Sequence, residues 1–520
     1  MPLREVPRPL VRDGALHLDD ADSHAHPERF SHRQPHGSAS HRHPRRHSQR
    51  FPVTDHQSQR MTTVSSLASR KGRNVELALL VFAVGIVVLA YVNVGIAVEG
   101  AIPPSLVAVG SGFAIITAVF HLVMRWRAPY ADPLILPIAT LLNGLGLVMI
   151  NRLDLAHGKD LAEGLALRQL MWSALGAGLA IAALIILRDH RILRRYTYLA
   201  GALGFGLLLL PLVPGLGIEN YGSRIWIRLG PFSFQPGEIA KLVLAIFFAG
   251  YLVQTRDALS VAGRRILGLT LPRARDLGPI LVAWMLSVGV LVLEKDLGSS
   301  LLFFGLFVAM LYVATERTSW VAIGMLLFCV GCYVANMLFD HVQRRVILWL
   351  DTFSTEALNI SDQLAKGVMG MASGGMFGTG LGRGRPDLTY FAESDFIIPS
   401  FGEEIGLVGL FALLILYVLL IERGLRTAIG ARDGFGKLLA SGLAFSLALQ
   451  CFVVVGGVTR VIPLTGLTMP FLSQGGSSLL ANWTLVAILL RISDHARRPV
   501  PDPEAPRPAS QDQTQVVKVR

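Results

Sequence analysis

Long apolar stretches separated by short polar connections dominate the chain from about residue 75 onward. They recur near 75–96, 104–124, 132–150, 168–187, 195–213, 236–254, 276–293, 297–314, 319–339, 402–421, 437–457 and 475–492. Each is long enough to cross a ~30 Å hydrocarbon core as a helix. The expected fold is therefore all-α, a polytopic transmembrane bundle of about twelve spans. Between the ninth and tenth windows the pattern lapses over 340–401, longer than a structureless connection in a compact protein normally runs. Residues 1–73 are rich in His, Arg, Pro and Ser without apolar periodicity, so a disordered basic tail is expected there. Residues 494–520, Pro-rich and polar, read as a second flexible tail. The expected division is tail 1–73, two helices in 74–130, the rest of the bundle in 131–493 with a large loop 340–401, and tail 494–520.

Composition reinforces the membrane assignment. Of 520 residues 52% are hydrophobic and 16% charged, where a soluble protein carries about a quarter charged. The formal net charge of +12 lies largely in the N-terminal tail and in short loops beside apolar windows, which argues against a nucleic-acid partner. Arginine is denser in alternate connections, such as "RDHRILRR" and "ERGLRTAIGARDGFGK". The positive-inside bias then predicts both termini on the cytoplasmic side and the segment 340–401 outside. Cys329, Cys332 and Cys451 all fall in apolar windows and read as small packing side chains, not a disulfide or metal set. The His-rich run lacks the Cys partners and spacing of a structural zinc site. Met61, ahead of a basic lead-in to the first helix, is a second candidate start.

Under this topology every even-numbered helix begins at the outer surface, and four of those beginnings stand out. The sixth opens "FQPGEIAKL", with Pro236 and Glu238 suited to a first turn and Lys241 three residues on from Glu238. The eighth opens "EKDLGSS", where Asp296 is placed to cap backbone N–H groups. The tenth follows "YFAESDFIIPSFGEEIG", which gathers Glu393, Asp395, Glu403 and Glu404 in an acid-poor chain. The twelfth follows "PLTGLTMPFLSQGGSS", where Gly475, Gly476 and Ser477 are expected to leave backbone amides pointing outward. Helix N-termini converging on one vestibule make an anion-attracting surface.

Acids in first turns are ordinary helix-start signals, and Glu403 and Glu404 fit that description. Asp395 does not. It precedes the helix by several residues and is followed by "FIIP". A carboxylate held beside apolar residues at a membrane surface is partly desolvated, which suits a general base. Upstream, glycines at 370, 374, 375, 378, 380, 382 and 384 permit close backbone approach to a ligand, or simple flexibility.

Four blocks, "GSRIWIRLGPFSFQPGEIAKL", "EKDLGSSLL", "SGGMFGTGLGRG…ESDFIIPSFGEEIGLVG" and "PLTGLTMPFLSQGGSSLL", in this order and spacing, identify the chain as similar to the SEDS family, the RodA/FtsW group. The resemblance runs from about 132 to 492, a ten-helix core. It leaves the first two helices as an N-terminal addition similar to that of some actinobacterial members, and "IRLGPFSFQPGEIAKL" leans RodA-like. It implies a peptidoglycan glycosyltransferase in the bacterial cytoplasmic membrane, polymerising lipid II at the outer face for elongation or division, with a class B penicillin-binding protein as partner. It places Asp395 on the family's essential aspartate, as base toward the acceptor hydroxyl. Arg224, Arg228 and Lys241, with the outer helix starts, are expected to cradle the diphosphate, and Asp387 matches another acid of the family. A divalent cation, Mg or Mn, is a possible assistant at the diphosphate, with no diagnostic ligand spacing here. The competing expectations are a lipid II flippase and a non-catalytic scaffold. A flippase would carry polar residues near mid-helix along a path, whereas here they crowd the helix ends.

Overall fold

The structure is a computed structural model that describes residues 56–220, 223–230, 232–259, 265–266, 269–270 and 278–499. The chain divides into two units. Met1–Gln57 lies almost wholly outside the described residues, as does most of the expected N-terminal tail, and Ser58–Arg520 carries the fold.

Twelve apolar helices stand where the hydrophobic windows place them. They are α1 (His56–Glu99), α2 (Leu106–Arg127), α3 (Ile135–Ala156), α4 (Leu165–Ile186), α5 (Thr197–Leu209), α6 (Pro236–Leu259), α7 (Gly278–Leu293), α8 (Leu297–Thr315) and α9 (Thr318–Leu338), then α13 (Ile397–Gly430), α14 (Gly434–Val458) and α15 (Gly476–Arg497). Among the described residues eleven spans are long and apolar enough to cross a membrane. The exception is α7, whose 16 residues rise only about 24 Å; α5 reaches span length only together with its flanking 3₁₀ turns, as His190–Leu212. α3 and α15 are central, with 89% and 83% of their apolar windows buried, and α9 lies on the rim with 11%. Exposed Val321, Met325, Leu326 and Val330 on α9 are what a lipid-facing side requires.

Several expectations need correction. The region 340–401 is not a structureless loop: it holds α10 (Asp340–Leu350), α11 (Thr355–Ile360), α12 (Gln363–Gly374) and a 3₁₀ turn, Pro386–Leu388. Helix begins at His56, inside the stretch read as disordered tail, whereas the apolar span of that helix begins at Gly72. At the other end α15 continues to Arg497. Asp494 is the reason: it accepts the Tyr130 amide (3.0 Å) and pairs with Arg498 (2.7 Å). The rest of the C-terminal tail lies outside the described residues. The connection from α5 to α6 has regular structure of its own. It is a three-stranded antiparallel meander, β1 (Gly217–Asn220), β2 (Ser223–Leu229) and β3 (Phe232–Phe234), with Ile218 opposite Trp226 and Arg228 opposite Ser233.

The tenth span starts at Ile397, before its hydrophobic window, and is broken at Gly406 (φ 67°, ψ −173°). Breaking a helix in this setting exposes backbone groups that lipid cannot satisfy. The glycine-rich loop after α12 satisfies them. Leu407 and Val408 donate to the carbonyls of Gly375 (2.9 Å) and Met376 (3.0 Å), while Thr379 and Gly380 donate to those of Glu403 (3.0 Å) and Glu404 (2.9 Å). The two carboxylates continue the lock. Glu403 accepts the Arg385 amide (2.6 Å), and Glu404 accepts the Gly382 amide (2.9 Å) and pairs with buried Arg152 of α3 (2.6 Å). Arg152 in turn donates to the Gly384 carbonyl (2.5 Å). Glu403 and Glu404 are thus loop anchors, not dipole-neutralising first-turn acids.

A Cβ on Gly406 would lie 2.2 Å from the Gly378 nitrogen, on a backbone conformation that L side chains rarely adopt. Gly406→Ala is therefore expected to destabilise the protein by about 1–3 kcal/mol, seen as a lower melting temperature of the detergent-solubilised protein.

Candidate active site

Asp395 sits on a tight turn just ahead of α13. Phe391 adopts φ +58°, and its carbonyl accepts the amides of Ser394 (3.0 Å) and Phe396 (3.2 Å). The loop before α15 grips the same turn, since Ser473 Oγ donates to the Ser394 carbonyl (2.6 Å) and the Gln474 amide to that of Glu393 (2.7 Å). The Asp395 side chain is thereby left half-buried. Burial pushes its acid up to about 6. Its own backbone N–H and the nearby Arg345 pull in the opposite direction, and Glu393 adds repulsion.

Arg345 comes from α10, an amphipathic helix laced to the segment 459–468. Arg345 Nη1 donates to the Leu464 carbonyl (2.6 Å) and Trp349 Nε1 to that of Arg460 (2.9 Å), while Arg460 returns bonds to the carbonyls of Trp349 (3.2 Å) and Leu350 (3.1 Å). This puts the guanidinium in the field of both Asp395 and Asp296, which offsets the burial that lowers its pKa.

Asp296 caps α8 as expected, accepting from the amides of Gly298 (2.9 Å) and Ser299 (3.1 Å) and from Ser299 Oγ (2.6 Å). Two residues earlier Glu294 is buried, and burial together with Asp296 raises its acid to about 8. The meander docks on this turn through the Arg224 amide to the Glu294 carbonyl (3.2 Å) and Ser223 Oγ to the Lys295 carbonyl (3.3 Å). On α6 buried Lys241 pairs with Glu238 (2.5 Å), as the i,i+3 spacing predicts, and donates to Gln450 Oε1 (2.8 Å). Gln450 then donates to the Thr468 carbonyl (2.8 Å).

The segment 464–468 is the shared wall of these groups. Leu464 holds Arg345, and a Cβ on Gly466 would stand 4.0 Å from Asp395 Oδ2. Leu467 lines a small cleft with Gln235, Glu238, Lys241, Ser299 and Gln450. Asp395, Arg345, Asp296, Glu238 and Lys241 are thus grouped around one stretch of chain.

Other predicted residues fall elsewhere. Arg224 is exposed and bound to Glu219 (3.0 Å), and Arg228 is exposed on the same strand, so both form an outer rim. Asp387 pairs with exposed Arg385 (3.2 Å). Glu393 meets the α15 loop through its backbone. At the start of α15 the Gly475 amide donates to Gln169 (3.4 Å), Ser477 is buried, and a Cβ on Gly476 would meet Trp172 at 2.3 Å, so close packing requires glycine at 476. Among the described residues no group of three His, Cys, Asp or Glu side chains gathers to hold a metal. A divalent cation there would need oxygens from the substrate to complete its shell. Sequence reasoning missed Arg345, Arg152 and Glu294. The one available signal was an ionisable residue at the end of an apolar window, as with Arg152.

A carboxyl whose folded-state pKa of about 6 exceeds its ordinary 3.8 binds its proton more tightly when folded, so its ionisation opposes folding above about pH 6 and not below about pH 4. Asp395→Asn is expected to raise the melting temperature by a few degrees at pH 7.5, a gain that vanishes near pH 4. Equal stability of the two proteins at pH 7.5 would contradict the desolvated carboxylate.

The family model described as "Cell cycle protein", of FtsW, RodA and SpoVE, matches residues 132–498. "Peptidoglycan glycosyltransferase RodA" of Mycobacterium tuberculosis (strain ATCC 25618 / H37Rv) is 51% identical over 431 residues, covering 82% of this chain and 92% of that protein. "Stage V sporulation protein E" of Bacillus subtilis (strain 168) is 31% identical over 380 residues, 72% of this chain and all of that one. Among solved structures, one titled "Structural coordination of polymerization and crosslinking by a peptidoglycan synthase complex" superimposes with a TM-score of 0.54 at 27% identity, over 71% of this chain and 99% of its own.

Proposed function

The chain belongs to the FtsW/RodA/SpoVE family, and from that premise we infer that it is a RodA-like peptidoglycan glycosyltransferase of the membrane that polymerises lipid II. Both shared sequence over the ten-helix core and the similarity to RodA proteins support this reading. The observation that carries the mechanism is Asp395, a half-buried carboxylate in the field of half-buried Arg345 at one end of the bundle. Asp395 takes the proton from the acceptor's GlcNAc 4-hydroxyl. The oxygen bonds to the donor's anomeric MurNAc carbon as the carbon–oxygen bond to undecaprenyl diphosphate breaks, and the diphosphate leaves with the electron pair. Attack opposite the leaving group inverts the configuration.

A base with a pKa near the working pH accepts a proton without being permanently protonated. Half-buried Arg345 and buried Lys241 lie beside the 464–468 segment, placed to offset charge on the departing diphosphate. Arg224 and Arg228 form an outer rim for the same anion. The site end faces outward, which leaves both termini in the cytoplasm in line with the positive-inside bias. A crosslinking class B penicillin-binding protein is the expected partner, and the structural neighbour from a synthase complex that couples polymerization to crosslinking supports it.

Purified protein given fluorescent lipid II, with and without the partner, is expected to yield glycan ladders, and Asp395→Asn none. Ladders from both would overturn the base assignment and favour a scaffold. The wild-type rate should rise with pH through a limb near 6. Arg345→Ala should lower the rate about 10²-fold and move that limb upward, because it removes a cation that holds Asp395 down.

A further inference from the structure

The helices α1 and α2 lie outside the family-model match, which begins at residue 132, yet they touch the machinery around Asp395. The contact is made by the glycine-rich loop. At Gly382 (φ +82°) a Cβ would stand 2.8 Å from Ala97 Cβ and 3.3 Å from both the Val94 carbonyl oxygen and Val98 Cγ2, all on the last turns of α1. Leu381 packs into the hydrophobic cluster built by Val87, Tyr91 and Val94 of α1, Phe113 of α2 and Leu147 of α3. The same Gly382 donates its amide to Glu404, whose partner is Arg152.

α1 is itself fixed at both ends. Tyr91 Oη donates to Asn151 Oδ1 of α3 (3.2 Å). At the other end Glu76 is buried between Arg73 (2.5 Å) and His121 of α2 (2.8 Å), and Arg73 also donates to the Ala131 carbonyl. Buried ion pairs of this kind are costly to break, so the pair is built as a fixed wall.

We propose that the outer end of α1 is a positioning element for the glycosyl-transfer site, holding the 378–385 loop against Glu403 and Glu404 and through them the first segment of α13, which begins two residues after Asp395. The proposal rests on the glycosyltransferase reading above. It assigns Ala97, Val94 and Val98 to support of the loop and not to contact with substrate. Displacing the loop frees Gly382 from Glu404 and leaves Arg152–Glu404 without its cover, so the turn carrying Asp395 loses a fixed neighbour. A misplacement of about 1 Å in such a support costs up to 10²-fold in rate.

The test compares Ala97→Phe, which drives a ring into the loop, with Leu89→Phe on the exposed face of the same helix, in the full-length protein with fluorescent lipid II. Ala97→Phe should lower kcat by about tenfold or more with KM little changed, and should speed amide hydrogen exchange at Gly382. Leu89→Phe should do neither. Ala97→Gly, which removes the contact without overpacking, should also speed exchange at Gly382 and lower kcat, and decides the matter if the bulkier variant does not fold. Wild-type turnover and exchange in both Ala97 variants, alongside an inactive Asp395→Asn, overturns the proposal alone. Ladders from Asp395→Asn overturn the underlying reading instead.

Discussion

A bilayer has no water to satisfy a broken backbone, and that constraint shapes this molecule more than any side-chain contact. α13 is interrupted at Gly406 near its start, so amides and carbonyls on both sides of the break need partners from the protein. The glycine-rich loop supplies them in both directions, with backbone from Gly375 to Gly380 pairing across the break. A loop this close cannot carry side chains at the contact: a Cβ on Gly378 would stand 2.2 Å from the Glu404 carbonyl oxygen. The glycines, the helix break and the two adjacent glutamates are therefore one device. It frees a short helical segment to end near the bundle surface, and the turn before that segment presents Asp395.

The electrostatics at that turn are a balance of opposed effects. Burial raises Asp395, while Arg345 limits the rise and leaves the carboxylate ionised over most of the neutral range. Arg345 is half-buried, with Asp296, Asp395 and the Leu464 carbonyl around it to offset the loss of water. Glu294 shows the counter-case: buried next to Asp296, it goes to about 8. Two carboxyls at one end of the bundle are thus set apart by their neighbours, one poised to accept a proton and the other holding its own.

The spans were legible because apolar length is a local property, and eleven of the windows match helices long enough to cross. Asp395 was legible because it sits where no capping rule explains a carboxylate. The partners were not. Arg345 reaches Asp395's neighbourhood from a helix fifty residues upstream, and Arg152 meets Glu404 across 252 positions. One sequence carries no record of such pairings. For the same reason Glu403 and Glu404 looked like first-turn acids, when a distant loop decides their roles. The break at Gly406 was hidden because a glycine in an apolar run is compatible with an unbroken helix.

The two ends of the bundle are held by different chemistry, and this bears on how a site is kept at one of them. Opposite the Asp395 end, side-chain charges tie the helices together. Asp132 pairs with Arg497 and lies 3.9 Å from Arg423, joining the approach to α3 with α13 and α15. Arg491 of α15 donates to the carbonyls of Arg127 and Leu184, at the ends of α2 and α4. Asp433 caps α14 and binds His190 (2.9 Å) and Arg191 (3.3 Å), where burial is outweighed by the hydrogen bonds from His190, the Gly436 amide and Arg191, so its carboxyl lies well below the usual range. At the Asp395 end the ties run mostly through backbone groups of the 375–385 and 459–474 segments, which accept from Arg152, Arg345 and Trp349 and bind across the break at Gly406.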